Sequence, residues 1–163
     1  PDPWHYGLLV DNLTANCVTS VEPLKAAVSI SDGEARFVRV LGNTTGSHLV
    51  GSKNSYGPKE FFVVATRAVQ PLFEWADFAK IDAEGHERAL LLTATREIMQ
   101  ELDIMVEIGN PENAEAVFGH FQSIGIGMFS QKIGWAQVQR LNDVPTSHRE
   151  GSLFISAKPA MPW

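Results

Sequence analysis

Asp82, Glu84 and His86 are the side chains best suited to chemistry, because they follow a short strand pattern at alternate positions. Carboxylates and imidazoles can both accept a proton from a reacting group. Side chains alternate faces along a strand, so Lys80 and Asp82 are expected on one face and Ile81 on the other. Charges on a strand that otherwise reads as buried need partners or a role, and these residues are therefore site candidates.

Glu107 is the expected partner of Lys80. It lies between Val106 and Ile108 in a second apolar strand pattern, and the two side chains meet if these strands are neighbours and parallel. The alternative is a pair between Lys80 and Asp82. An unpaired buried charge would cost several kcal/mol, so one of these pairs is predicted.

Strand and helix patterns alternate along the chain around these residues. Helices are predicted at residues 3–16, 85–101 and 111–124, and strands at 24–30, 35–41, 61–65, 78–82, 104–108, 126–130, 135–141 and 153–157. The second strand is expected to return from a turn at Asp32-Gly33, and residues 71–75 to form a linking turn. This alternation predicts an α/β fold with a mainly parallel sheet and antiparallel edge strands, whose ligands bind beyond the carboxyl ends of strands.

Composition limits the class of protein. With 163 residues, of which 44% are hydrophobic, residues 1–163 are expected to form a single domain or most of one. A net charge of −6 argues against nucleic acid as a partner, and no apolar run is long enough to span a membrane. The single cysteine, Cys17, is expected to be a small buried side chain and fits a cytoplasmic location. The start at Pro1 without methionine predicts that the chain is a piece of a longer protein.

Several short motifs occur in a characteristic order along nearly the whole chain. They are Pro1-Asp-Pro-Trp4, Lys25-Ala-Ala-Val-Ser29, Asp32-Gly33, Asn43-Thr-Thr-Gly-Ser47, Lys80-Ile-Asp-Ala-Glu-Gly-His-Glu87 and Val106-Glu-Ile108. In this order they resemble the FkbM family of S-adenosylmethionine-dependent methyltransferases. The Lys-Ile-Asp-Ala-Glu-Gly element is the most specific of them.

The resemblance implies a Rossmann-like class I methyltransferase sheet and transfer of a methyl group from S-adenosylmethionine to a hydroxyl of a sugar or secondary metabolite. The acceptor would be a small molecule or a glycan, and no metal site is predicted. The resemblance implies cofactor contacts from Pro1, Ala27, Val28, Ser29 and Asp82, and catalytic roles for Asp82, Glu84 and His86. The first strand and glycine-rich loop of the family do not occur in these residues, so the chain alone is expected to bind the cofactor poorly and to be inactive.

Other interpretations stay open from the sequence. Asp82 and Glu84 suit a simple role as caps of the following helix. The polar loop from Asn43 to Ser55, with Thr44, Thr45, Ser47 and His48, either covers the pocket or solvates a turn. The chain as a whole is alternatively a non-catalytic interaction module or a nucleotide-dependent oxidoreductase, although the latter needs a Gly-x-Gly-x-x-Gly turn that this sequence lacks.

Overall fold

The computed structural model describes residues 1–43, 46–54 and 56–162, and these form an α/β structure. The helices are α1 (Pro3–Ala15), α2 (Val69–Trp75), α3 (Glu87–Leu91) and α4 (Pro111–Ser123). The strands are β1 (Ala27–Ser29), β2 (Gly33–Val40), β3 (His48–Leu49), β4 (Lys59–Ala68), β5 (Phe78–Ile81), β6 (Asp103–Glu107), β7 (Gly127–Ser130), β8 (Ala136–Gln137) and β9 (Ser152–Ser156). The chain divides into two compact units, Pro1–Ala68 and Val69–Trp163, and the single-domain organisation stays a prediction.

The first unit contains a mixed sheet in the order β1-β4-β2-β3. β1 is parallel to β4, whereas β2 is antiparallel to β4 from Gly33 opposite Thr66 to Val40 opposite Lys59. β2 thus runs opposite to β1, as expected for a strand that returns from the turn at Asp32-Gly33, but it does not pair with β1, because β4 lies between them. The eight-residue pairing with β4 satisfies far more backbone hydrogen-bonding groups of β2 than the three residues of β1 could.

Asp2 fixes the start of α1 and connects it to the sheet. Its carboxylate accepts a hydrogen bond from the backbone N–H of Trp4 at 2.9 Å, and Pro3 occupies the first helical position, which confirms the predicted cap. Arg39 of β2 donates to both oxygens of the same carboxylate at 2.6 and 2.7 Å. Asp2 is buried, and the Arg39 hydrogen bonds hold its pKa well below the usual range.

The apolar side chains at helical spacing in α1 are exposed rather than packed. No residue of this helix is buried, and the Trp4 side chain is 62% exposed, with Leu8 and Leu9 exposed beside it. Cys17, expected to be a buried hydrophobe, is also exposed and has a left-handed backbone with φ of 54°. The helical periodicity thus predicts the helix correctly but not a buried face.

The second unit contains a sheet in the order β5-β6-β9-β7-β8. β5 and β6 are parallel, and β9 pairs antiparallel with both β6 and β7. β5, β6 and β7 therefore run in one direction. The antiparallel β8 lies at the edge of the sheet, as predicted, whereas the antiparallel β9 is inserted within it. The sheets are mixed where the sequence patterns favoured a mainly parallel one. The core on one face of this sheet includes Ile104, Val106, Leu153, Ile155, Val117 and Phe121.

Helix α2 replaces the predicted linking turn. Val69 and Phe73 are buried on one side of it, and Gln70 donates a hydrogen bond to Glu74 at 2.9 Å one turn later. Pro71 is tolerated because it lies in the first turn, where a backbone N–H has no helical partner anyway. Burial of two apolar side chains therefore outweighs the turn signal of the proline.

The helix predicted at residues 85–101 is much shorter in the structure. α3 ends at Leu91, and turns lead to a short 3₁₀ segment at Ile98–Gln100. The Thr93 hydroxyl donates to the Leu90 carbonyl at 2.7 Å, and such a local bond competes with continued helix. α4 agrees with its prediction, since the side chain of Asn110 caps it by accepting from the N–H of Asn113 at 2.7 Å.

Candidate functional site

The β5 loop, residues 82–86, carries the predicted catalytic side chains at the carboxyl end of β5. Asp82 is exposed, and Glu84 and His86 are half-buried. The backbone turns sharply, because Glu84 has a φ of 50° and Gly85 a φ of 100°. A left-handed conformation is costly for a residue other than glycine, by about 1–2 kcal/mol, and such strain is concentrated at functional sites.

Glu87 holds this loop in place. Its carboxylate is buried, with only 2% of the residue exposed, although the residue opens α3. One oxygen accepts from the backbone N–H of Ala83 at 2.9 Å, and the N–H of Gly85 lies 3.1 and 3.0 Å from the two oxygens. Hydrogen bonds to a carboxylate are about twice as strong as neutral ones, so the strained turn is fixed by its own helix.

Asp82 is not a helix cap. The residue before α3 is His86, whose side chain makes no capping hydrogen bond, and within the described residues the Asp82 carboxylate has no hydrogen bond or ion pair. The capping interpretation of Asp82 is therefore wrong. Its carboxylate lies exposed beyond the end of β5, where a ligand can reach it.

His86 is the second proton-accepting group of the β5 loop. Burial lowers the pKa of its imidazole, and the negative charge of Glu87 opposes that shift only in part. The imidazole is therefore neutral at pH 7 and can accept a proton from a hydroxyl. Burial in this loop thus suits His86 to the role of a base.

The parallel pairing of β5 and β6 brings the ends of both strands to one edge of the sheet. Ile81 pairs with Val106, so the next residues, Asp82 and Glu107, leave their strands at the same level. Lys80 lies 3.5 Å from Glu107, which confirms the predicted pair between the strands. The two side chains are 44% and 39% exposed, however, so the expected burial of these charges is wrong and the pair contributes little to stability.

The residues predicted to contact the cofactor, apart from Asp82, lie in the first unit. Pro1 is exposed next to the cap of α1, and Ala27 packs in the small core of this sheet. Val28 is exposed and Ser29 half-buried. Ala27 and Ser29 share one face of β1 and Val28 the other, as the strand period requires.

The polar loop from Asn43 to Ser55 has internal structure of its own. Its β3 strand pairs with β2, the Ser47 hydroxyl accepts from the N–H of Val40 at 3.2 Å, and the buried His48 ring lies 2.9 Å from the Gly46 carbonyl. Ser47 and His48 thus support the loop fold. Thr44 and Thr45, also predicted as hydrogen-bonding groups, lie outside the described residues.

Comparison with protein-family models, with curated proteins and with solved structures gives no match to this chain. The chemistry of the site therefore has to follow from its own residues. Among the described residues, no group of three His, Cys, Asp or Glu side chains is placed to hold a metal ion. In that same part of the chain no helix has the length and apolar character needed to cross a bilayer.

Glu87 is the residue of this site that sequence reasoning missed. The signal was present, since an acid in the first turn of a helix commonly accepts hydrogen bonds from the backbone just before it. The glycine two residues earlier marks the turn that needs such support. What the pattern could not show is that this carboxylate points back into the loop and is buried.

Proposed function

We propose that the chain is part of an S-adenosylmethionine-dependent O-methyltransferase that resembles the FkbM family and has a class I methyltransferase fold. The observation that carries the proposal is the delivery of Asp82 to the shared edge of two parallel strands by a loop that Glu87 anchors. Ligands of open α/β sheets bind at such edges. A carboxylate without a structural partner there suits both a positively charged methyl donor and a hydroxyl acceptor.

The acidic side chains of the β5 loop suit a positively charged cofactor. When bound, S-adenosylmethionine supplies an electrophilic methyl group on a positive sulfonium, and Asp82 and Glu84 provide nearby negative charge. The adenine contacts that the resemblance implies for Pro1, Ala27, Val28 and Ser29 belong to the first unit and stay predictions.

Two residues share the proton chemistry in this proposal. The acceptor hydroxyl is oriented by Asp82 and loses its proton either to that carboxylate or to the neutral imidazole of His86. General bases of this kind contribute about 10²–10⁴-fold to a rate, and holding the hydroxyl in line contributes more. Glu87 acts through the backbone, by keeping the loop in the conformation that presents both groups.

The test measures methyl transfer from isotopically labelled S-adenosylmethionine to a panel of sugars and hydroxylated metabolites. It uses this chain alone and the chain with whatever residues its gene encodes before Pro1. Asp82→Asn is expected to lower kcat by roughly 10²-fold or more. Asp77→Asn, which removes an exposed carboxylate at the opposite end of the same strand, is the matched control and should leave kcat unchanged.

His86→Gln separates the two candidate bases, because the base is the residue whose loss also removes the acidic limb of the pH–rate profile. The proposal fails if calorimetry detects no cofactor binding to the longer chain and no hydroxyl in the panel is methylated. It fails equally if both variants keep the wild-type rate.

A second candidate function, a non-catalytic interaction module, is favoured by the apolar surface of the first unit. Trp4, Leu8 and Leu9 of α1 are exposed, and so are Phe61 and Val63 of β4. Exposed apolar patches often mark interaction sites. Self-association that ultracentrifugation detects, and that Leu9→Asp or Val63→Asp abolishes, would support this function, whereas a monomer unaffected by either change would count against it.

A further inference from the structure

A second loop reaches the same edge of the sheet as Asp82. β9 runs opposite to β5 and β6, and its first residue, Ser152, pairs with Glu107 at the end of β6. The segment before β9 therefore lies at the carboxyl ends of β5 and β6. We call residues 144–151 the β9 loop.

The β9 loop is braced from two sides. The Glu150 carboxylate accepts from the backbone N–H of Thr146 at 2.7 Å and pairs with Lys132 at 3.1 Å. Gln131 accepts from the N–H of Ser152 at 2.9 Å and so fixes the point where the loop joins β9. The hydrogen bond from Thr146, and after it the contact with Lys132, lower the pKa of Glu150, so its charge is engaged within this part of the structure. The β9 loop is thus preorganised without any ligand.

The tip of the β9 loop presents two side chains that no contact explains. His148 and Arg149 are exposed, and within the described residues neither side chain has a hydrogen bond or an ion pair. Most other arginines of the chain are engaged by a hydrogen bond or an ion pair: Arg39, Arg67, Arg96 and Arg140. A guanidinium forms paired hydrogen bonds with carboxylate and phosphate groups, so Arg149 can bind such a group of a ligand.

The spacing between the points where the β5 and β9 loops join the sheet suits a small acceptor. β5 and β9 are separated by β6 alone, and neighbouring strands lie about 4.8 Å apart, so the two loops leave the sheet roughly 10 Å from each other. A sugar ring with a charged substituent spans that distance. We propose that Arg149, assisted by His148, binds a carboxylate or phosphate group of the acceptor whose hydroxyl faces Asp82. This inference rests on the proposed methyltransferase function and adds the acceptor class, an anionic hydroxyl compound.

The test is a titration of the chain followed by NMR of the Arg149 Nε–H and the His148 ring. Glucuronate tests for binding of a carboxylate, and glucose 1-phosphate and inorganic phosphate test for binding of a phosphate. Glucose, which has no charged substituent, is the control ligand. Saturable shifts with glucuronate or glucose 1-phosphate, and none with glucose, are expected. Arg149→Met should weaken this binding roughly tenfold or more, since a hydrogen bond to a charged group is lost, and Arg149→Lys should weaken it less.

Arg67→Met is the control, because Arg67 is an exposed arginine of the first unit that already pairs with Asp32, and it should leave binding unchanged. Whichever anion binds more tightly identifies the charged group. Equal shifts with glucose, or binding that Arg149→Met leaves intact, would overturn the inference. The titration contains no methyl donor, so anion binding without any methyl transfer supports the Arg149 site while the proposed function fails. Methyl transfer without anion binding overturns only the Arg149 site.

Discussion

Removing the Glu87 carboxylate tests whether the β5 loop is held as the structure indicates. In Glu87→Ala, the N–H groups of Ala83 and Gly85 lose the acceptor that lies 2.9–3.1 Å from them. The left-handed backbone at Glu84 then has nothing to fix it. We expect the loop to open while the sheet beneath it stays folded.

The cost follows from the type of bond that is broken. A hydrogen bond to a charged group contributes about 1.5–3 kcal/mol, and two such donors are involved. Relaxation of the strained turn and hydration of the freed N–H groups offset part of the loss, so we expect a decrease of about 3 kcal/mol in the free energy of unfolding. Glu87→Gln keeps one acceptor oxygen without the charge and should lose about half as much.

Urea denaturation measures this free energy, and amide hydrogen exchange reports on the two bonds directly. The exchange of Ala83 and Gly85 should accelerate in Glu87→Ala, whereas Glu115→Ala, at an exposed position of α4, should change neither quantity. A variant at Glu87 with wild-type stability and unchanged protection of both amides would refute the anchoring role.

Other predictions concern the rest of the chain. The hydrogen bonds from Arg39 lower the pKa of Asp2, so the ionised Asp2 stabilises the folded state fully above about pH 4. This contribution to the free energy of unfolding declines as the pH falls below the ordinary carboxyl pKa, and Asp2→Asn should abolish that part of the pH dependence in urea unfolding. Phe73→Ala should cost about 3–5 kcal/mol because Phe73 is buried in α2, while Trp75→Ala, at a residue that is 85% exposed, should change the unfolding free energy by less than about 0.5 kcal/mol. In a double-mutant cycle of Lys80→Met and Glu107→Gln, the coupling should stay below about 1 kcal/mol, since both side chains are well exposed.

Elements with strong local signals were predictable from the sequence. Asp2 before Pro3 and Asn110 before Pro111 each place a capping acceptor ahead of a proline that suits the first helical turn, and both helices begin there. The short apolar run that ends at Glu107 forms a strand as expected. In these cases the preference of a few adjacent residues decides the structure.

Features that depend on distant pairing were not predictable in this way. The turn at Asp32-Gly33 favoured a hairpin of β1 and β2, but β4 supplies a longer partner whose residues follow their β2 partners by 19 to 33 positions. α2 forms despite Pro71 because Phe73 finds a buried position. Strand order and burial are tertiary properties, and local propensity is overridden where they conflict with it.

In the candidate site, too, some features were predictable from local sequence and others depend on tertiary structure. The pair of Lys80 with Glu107 followed from the strand period and the parallel order, whereas its exposure did not. The role of Glu87 depends on the backbone angles of Glu84 and Gly85, which no periodicity encodes. Sequence patterns thus predicted the β5 loop as a candidate site but not the residue that holds this loop in place.

Asp82 and Glu87 lie at the two ends of the turn between β5 and α3 and have different roles. This difference argues for a functional role of Asp82. Glu87 is buried and its carboxylate accepts hydrogen bonds from the loop backbone, so its position is explained without any ligand. Asp82 caps nothing, and within the described residues it pairs with nothing, yet it sits on the part of the chain that this anchoring immobilises. A loop that served only to connect β5 to α3 would not require a left-handed glutamate and a buried carboxylate to fix an exposed acid. Asp82→Asn should therefore leave the unfolding free energy within about 0.5 kcal/mol of the wild type, and a larger loss would assign Asp82 to structure instead.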